Sequence, residues 1–267
     1  MLRLLRGTMH NLNAILTIAF RDIIKLLRDK SRIFASFIFP IIFIGVLGTS
    51  LQQNLGETLG YNFLTFVFIG VLAQTLFQST ASGIISLVED RQNDFAQEMF
   101  IAPISRYAIL LGKILGETIV SLVQIIGVVV FAFLIKIPLD VMSLISLFPF
   151  ILAIAFFGGA FGVMVMSSLS EQRAANQIFP FILFPQFFLA GVFNPIQNLP
   201  LPILIASRIS PMTYAVDLLR SIYYFGKPEY AKVVLFNPWL NLAVVLGFGV
   251  VFLVIGTYLF VKNERNR

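Results

Sequence analysis

The chain has 267 residues, of which 58% are hydrophobic and only 12% charged, with a mean hydropathy of +0.91. Soluble chains are roughly a quarter charged, so a water-soluble globular protein is excluded, and the length leads us to expect one polytopic domain without an added soluble catalytic domain. Cysteine is absent, which removes disulfides and thiolate metal sites. The net charge of +6 comes from basic residues set beside apolar segments, where membrane orientation and anionic lipid account for them better than nucleic acid does.

At the N-terminus, Arg3 and Arg6 are followed by the polar patch His10 to Asn13 rather than by a short apolar core, so a cleavable signal peptide is not expected. Leu12, Ile15, Leu16, Ala19, Phe20, Ile23 and Leu27 then recur at helical spacing, with Arg21, Lys25, Arg28 and Arg32 on another face. This pattern predicts an amphipathic helix within residues 1–32, lying in the headgroup region with its apolar side down. Packing against a partner protein is the alternative, and the two are compatible.

A membrane span needs about 20 mostly apolar residues, because in lipid the backbone must satisfy its own polar groups. Segments 33–51, 62–88, 108–135, 143–169, 176–193 and 239–261 meet that pattern and predict an all-α integral membrane domain over 33–267 with six transmembrane helices. With the N-terminus inside, one side receives Arg3, Arg6, Arg21, Lys25, Arg28, Lys30, Arg32, Arg91, Arg106, Lys113, Arg173, Lys262, Arg265 and Arg267. The other receives Lys136, Arg208, Arg220, Lys227 and Lys232. Lys and Arg stay on the cytoplasmic side, so both termini are expected in the cytoplasm of a cell with this chain in its plasma or inner membrane. Gly112 and Gly116, and Gly158 and Gly162, are each one turn apart and predict close helix packing.

Two regions break the apolar pattern. The inner loop 89–106 mixes charge with an apolar stripe: Glu89, Arg91, Glu98 and Arg106 accompany Phe95 and Met99, and Pro103 stops any helix. A short helix parallel to the membrane, offering Phe95 and Met99 to a groove, fits this pattern; so does a solvated loop. The outer segment 194–238 contains Asn194, Pro195, Pro200, Pro202, Pro211, Pro228 and Pro238 around apolar pieces holding Tyr214, Asp217 and Arg220. Those pieces are too short to cross and too apolar for a free loop. They predict re-entrant half-helices, tolerated at depth where protein or a water-filled cavity covers them, in preference to an extracellular cap.

These two regions carry a resemblance. The run Leu87-Val-Glu-Asp-Arg-Gln-Asn-Asp-Phe-Ala-Gln-Glu-Met-Phe-Ile-Ala-Pro-Ile-Ser-Arg, continuing into Leu111-Gly-Lys-Ile-Leu, resembles the inner loop of ABC-2 type transporter permeases. Asn93-Asp94 stands where many members have Gly-Thr. The outer motif Leu189-Ala-Gly-Val-Phe-Asn-Pro-Ile-Gln-Asn-Leu-Pro and the later Ile209-Ser-Pro-Met-Thr-Tyr-Ala-Val-Asp-Leu-Leu-Arg resemble the same family, especially its drug-resistance type. The resemblance implies the membrane half of an ATP-driven exporter, working as a dimer with a second copy or a paralogue and with two ABC ATPase subunits docked on the inner loops. It also implies that the loop holding Glu89, Arg91, Phe95, Glu98, Met99, Pro103 and Arg106 is the coupling element. The outer segment with Asn194, Pro195, Pro200, Pro211, Tyr214, Asp217 and Arg220 would line or gate the exit.

The chain is expected to bind no cofactor itself, ATP and Mg acting through the partner ATPase. A P-loop needs a Gly five residues before Gly-Lys-Ser/Thr, whereas Gly112-Lys113 has Tyr107 at that position and Ile114 after it. The rival reading is an ion-coupled carrier or another membrane protein using an acid at depth, for which Glu117 is the candidate. Glu117 lies four residues after Lys113, so a pair on one helix face at the membrane edge is the expected arrangement. His10, the only histidine, is expected at the surface. Apolar walls with few fixed charges suit an amphipathic drug, a lipid or a lipid-linked glycan.

Overall fold

The computed structural model describes residues 2–92, 104–169 and 171–265, and every regular element among them is helical. Helix α1 (Leu2–Arg28) ends just before Asp29, whose carboxylate caps the next helix by accepting from the Arg32 amide at 2.9 Å. That helix, α2 (Lys30–Pro40), widens after its proline into a π-helical stretch, Ile41–Gly48, and continues as α3 (Thr49–Leu59). Gly60, at φ 68°, terminates the rod in the left-handed conformation that glycine adopts without strain.

Helix α4 (Phe63–Gly83) is capped by Asn62 and runs by a one-residue break into α5 (Ile85–Gln92). Helices α6 (Arg106–Leu134) and α7 (Val141–Met166) start at the side-chain caps Ser105 and Asp140. Helix α8 (Gln172–Leu189) contains Pro180 and Pro185. A 3₁₀ turn, Ile196–Asn198, leads to α9 (Leu201–Ile209) and α10 (Pro211–Tyr223), each with a proline in its first turn, where the missing N–H is harmless. A single turn, α11 (Tyr230–Val233), precedes α12 (Pro238–Arg265).

Among the described residues, five helical segments are long and apolar enough to cross a membrane: Lys30–Asn54, Phe63–Asp90, Arg106–Leu134, Val141–Met166 and Tyr230–Asn263. Helix α8, the segment expected as a further span over 176–193, is not among them, because Gln172, Arg173, Asn176, Gln177 and Gln186 dilute its apolar content. Its ends nevertheless lie at opposite ends of the bundle. It begins close after Ser167, whose carbonyl accepts from Asn263, and finishes near Val192, whose carbonyl accepts from Arg220.

Helix α4 is the axle of the bundle: it is mostly apolar and almost wholly buried. The predicted glycine pairs do pack helices. A Cβ at Gly158 would sit 2.5 Å from the Phe77 carbonyl and one at Gly162 2.5 Å from that of Ala81, so α7 lies backbone-to-backbone on α4. Gly112 and Gly116 make the same close approach from α6 to Ile15 and Ala19 of α1. The interface helix therefore has two apolar sides. Ile18, Ala19 and Leu26 are buried on the bundle, while Leu12, Leu16 and Phe20 form an exposed stripe.

Candidate functional site

Two polar assemblies interrupt the apolar bundle at the end where the basic residues gather. The first is a buried ion network joining α1, α5 and α6. Lys113, whose side chain is fully buried, donates to Asp22 Oδ1 at 3.2 Å and to Ser86 Oγ at 3.0 Å, and its Nζ lies 2.8 Å from Asp90 Oδ2. Arg21 pairs with Asp90 and, at 3.2 Å, with Asp22; Lys25 reaches Asp90 at 3.3 Å. Burial opposes the charge on Arg21, but Asp90 and Asp22 outweigh it and hold the guanidinium above its ordinary pKa. Close by, Arg32 Nη2 donates to Glu117 Oε2 at 3.0 Å.

This corrects the expected Lys113–Glu117 pair at the membrane edge. Both side chains are buried, Lys113 turns to α1 and α5, and Glu117 takes Arg32 of α2. The network also anchors the start of the 89–106 loop, through Asp90. At the loop's other end the Ser105 amide donates to Asn11 Oδ1 at 3.1 Å. Both flanks of the loop are thus tied to the same interface helix.

The second assembly is a cleft of about 300 Å³ between α2, α4 and α6. Thr75, Gln78, Ser79 and Ser82 form one stripe of α4 along it, joined by Gln124 from α6 and by Ser36 and Arg32 from α2. Gln78 is exposed although it lies within an apolar span, and Ser79 Oγ is buried without a hydrogen-bond partner. Toward the opposite end the cleft is closed by Phe39, whose ring centroid lies 4.1 Å from that of Phe43 and which meets Phe187 of α8 edge-on at 4.8 Å. Phe43 meets Phe193 at 4.9 Å.

Of the predicted coupling residues, Phe95, Glu98, Met99 and Pro103 lie outside the described residues. Glu89 is half-buried on α5, Arg91 is in the last turn of α5, and Arg106 opens α6. At the opposite end, Asn194 and Pro200 are exposed and Pro195 half-buried; Pro200 precedes α9 and Pro211 starts α10. Tyr214 donates to the Arg208 carbonyl at 2.9 Å and stacks on Phe236.

Asp217 is fully buried and accepts from the Leu235 amide at 2.8 Å, the Phe236 amide at 2.9 Å and Asn241 Nδ2 at 2.8 Å. It ties α10 to the approach and first turn of α12. Arg220 is buried over the Phe66 ring, 3.5 Å from its centroid, and donates to the carbonyls of Val192 at 3.0 Å and Phe66 at 3.4 Å. Prediction missed the network's Asp22, Ser86 and Asp90, which only tertiary packing brings together. It also missed the cleft stripe, for which a signal existed: positions 75, 78, 79 and 82 share one helix face.

A family profile described as "ABC-2 type transporter" matches residues 13–224. The chain is 23% identical to the transport permease ycf38 of Cyanophora paradoxa over 76% of this chain and 71% of that protein. It is 22% identical to ycf38 of Porphyra purpurea over 90% and 84%, respectively. It is 25% identical to the multidrug ABC transporter permease YbhR of Escherichia coli K12 over 52% of this chain, an alignment spanning 38% of that protein.

Proposed function

Since this chain belongs to the ABC-2 type transporter family and is a multi-pass transport permease, we propose that it is the membrane-spanning subunit of an ATP-driven exporter. ABC-2 permeases work with ABC ATPase partners, and here the ATPase docks on the 89–106 loop and hydrolyses ATP outside this chain. Six crossings, with α8 as the fifth, leave both termini in the cytoplasm and the basic end inward, in the plasma or inner membrane. The opposite-end helices α9 and α10 are the re-entrant pair. The cargo is an amphipathic drug, lipid or lipid-linked glycan, moved out of the cytoplasm or inner leaflet.

The observation that carries this reading is the polar stripe of α4. Hydroxyl and amide side chains inside a span are expensive against hydrocarbon and are tolerated where protein or water covers them. An open cleft with Gln78 exposed in it therefore fits one wall of a wet passage completed by a second copy. The carrier reading, with Glu117 as a proton or ion site, is less well supported, since Glu117 is 1% exposed and bound to Arg32.

The absence of native cysteine makes the test direct. In the purified complex with its ATPase, Gln78→Cys should react with a small water-soluble thiol reagent. Val130→Cys, on an exposed apolar face, should not, and the Gln78→Cys rate should change when ATP is hydrolysed. Equal, ATP-independent inertness of the two cysteines would refute the passage.

A further inference from the structure

The geometry points to an anionic head group as the part of the cargo that the cleft reads: an amphipath ending in a phosphate or carboxylate, held by Arg32 of α2 and neutral donors of α4 and α6. This rests on the cleft being the passage proposed above.

The lining chemistry is one-sided. Among the described residues, no carboxylate lines the cleft, and Arg32 is its one ion. Only one guanidinium nitrogen of Arg32 is engaged, Nη2 with Glu117, and its side chain is still 35% exposed. A guanidinium carries five N–H donors in a planar fork that matches carboxylate and phosphate oxygens.

The neutral groups point the same way. Gln74 Nε2 donates to Gln78 Oε1 at 3.3 Å, which leaves the Gln78 amide nitrogen to donate. Ser79 lines the cleft 91% buried, with a hydroxyl that no atom of the described residues satisfies. Such an orphan is costly unless a ligand or water pairs with it. A cationic head group would have to compete with Arg32 for Glu117, which does not line the cleft, whereas an anion meets the exposed part of the guanidinium and neutral groups able to donate. An adjoining surface suits the rest of an amphipath. Pro40 also borders an apolar groove of about 600 Å³ between α2 and α6, lined by Phe34, Ile38, Val130, Phe131 and Leu134, where a hydrocarbon chain fits.

The test uses the Ser82→Cys permease, whose cysteine lines the cleft without removing Arg32, Gln78 or Ser79, with its ATPase in phosphatidylcholine nanodiscs, reading the rate of modification by a neutral water-soluble thiol reagent. Dodecyl phosphate should slow that rate, while dodecyltrimethylammonium and inorganic phosphate at the same concentration should not. Replacing the pair together, Arg32→Gln with Glu117→Gln, leaves no orphaned charge. It should raise the half-protecting concentration of dodecyl phosphate about 10- to 100-fold, the loss expected for a charged hydrogen bond. Arg32→Lys should restore part of the protection.

Should the double variant fail to fold, Ser79→Val supplies the same comparison without touching an ion and should weaken protection. Protection by the cationic amphipath equal to that by dodecyl phosphate overturns the head-group inference and leaves the passage standing. So does protection unchanged in these variants. Protection by inorganic phosphate alone overturns the amphipath. A Ser82→Cys that never reacts overturns the passage itself.

Discussion

Lys113→Met is the most informative single change. The fully buried ammonium has three donors, and three partners surround it: Asp22 at 3.2 Å, Ser86 at 3.0 Å and Asp90 at 2.8 Å. Methionine fills most of the volume without the charge. Asp90 would keep Arg21 and Lys25, but Asp22 would keep only Arg21, and its Oδ2 already has no partner. The loss therefore falls on Asp22, a carboxylate that is 2% exposed. Removing one partner from a buried ion pair typically destabilises by about 3–5 kcal/mol, against a total stability of about 5–15 kcal/mol for a typical domain. Replacing both members by neutral groups of similar size is often close to neutral, so Lys113→Met with Asp22→Asn should recover most of the loss. Denaturant titration of the detergent-purified permease reads both changes. A single mutant within about 0.5 kcal/mol of the parent, the range of an ordinary surface change, would refute the network as a buried structural junction. So would a double mutant no better than the single.

Gly158→Ala should destabilise by about 1–3 kcal/mol, the range for overpacking, since its Cβ would lie 2.5 Å from the Phe77 carbonyl, a backbone atom that cannot swing away; a melting curve in detergent measures it. Phe95→Ala with Met99→Ala should lower ATPase co-purification and transport at normal membrane abundance, each buried anchor contributing about 1–4 kcal/mol; full recovery of the ATPase would make the loop a plain connection. A cysteine at Glu229 should react with an impermeant thiol reagent added outside intact cells, and one at Arg173 should not; labelling at Arg173 would reverse the orientation.

The helices were legible because their signals are local. Apolar runs and the glycine pairs act within a few residues; the caps Asn62, Ser105 and Asp140 are equally local but were not read from the sequence. The glycine spacing even foretold close backbone approach, though not that Gly112 and Gly116 would seat the interface helix. Charge pairing was legible only where it stayed within a turn. Helical spacing suggested Lys113 with Glu117, but their partners come from 91 and 85 residues away, Asp22 and Arg32, and no periodicity reports such distances. Asp217 and Arg220 stood out in the sequence as polar residues punctuating apolar pieces of the outer segment. That Asp217 would accept from two backbone amides and an asparagine, while Arg220 lay on Phe66, depended on the chain folding back. The α4 stripe was visible in principle but submerged in an otherwise apolar run.

The π-helical stretch Ile41–Gly48 sets the azimuth of everything before it. Each wide turn accommodates more chain than an α-helical turn, so this stretch behaves like an insertion absorbed without a loop. Loss of one residue there would let the rod relax toward plain α geometry and rotate the preceding segment by about 100°. Arg32 would then swing away from Glu117, and Phe37 out of the slot above Gly127. Substitutions at the exposed Ile41, Ile42 and Val46 need only keep the surface apolar, whereas a change in the length of the stretch alters which face of α2 looks into the cleft. At those three positions chain length is therefore under a tighter constraint than side-chain identity.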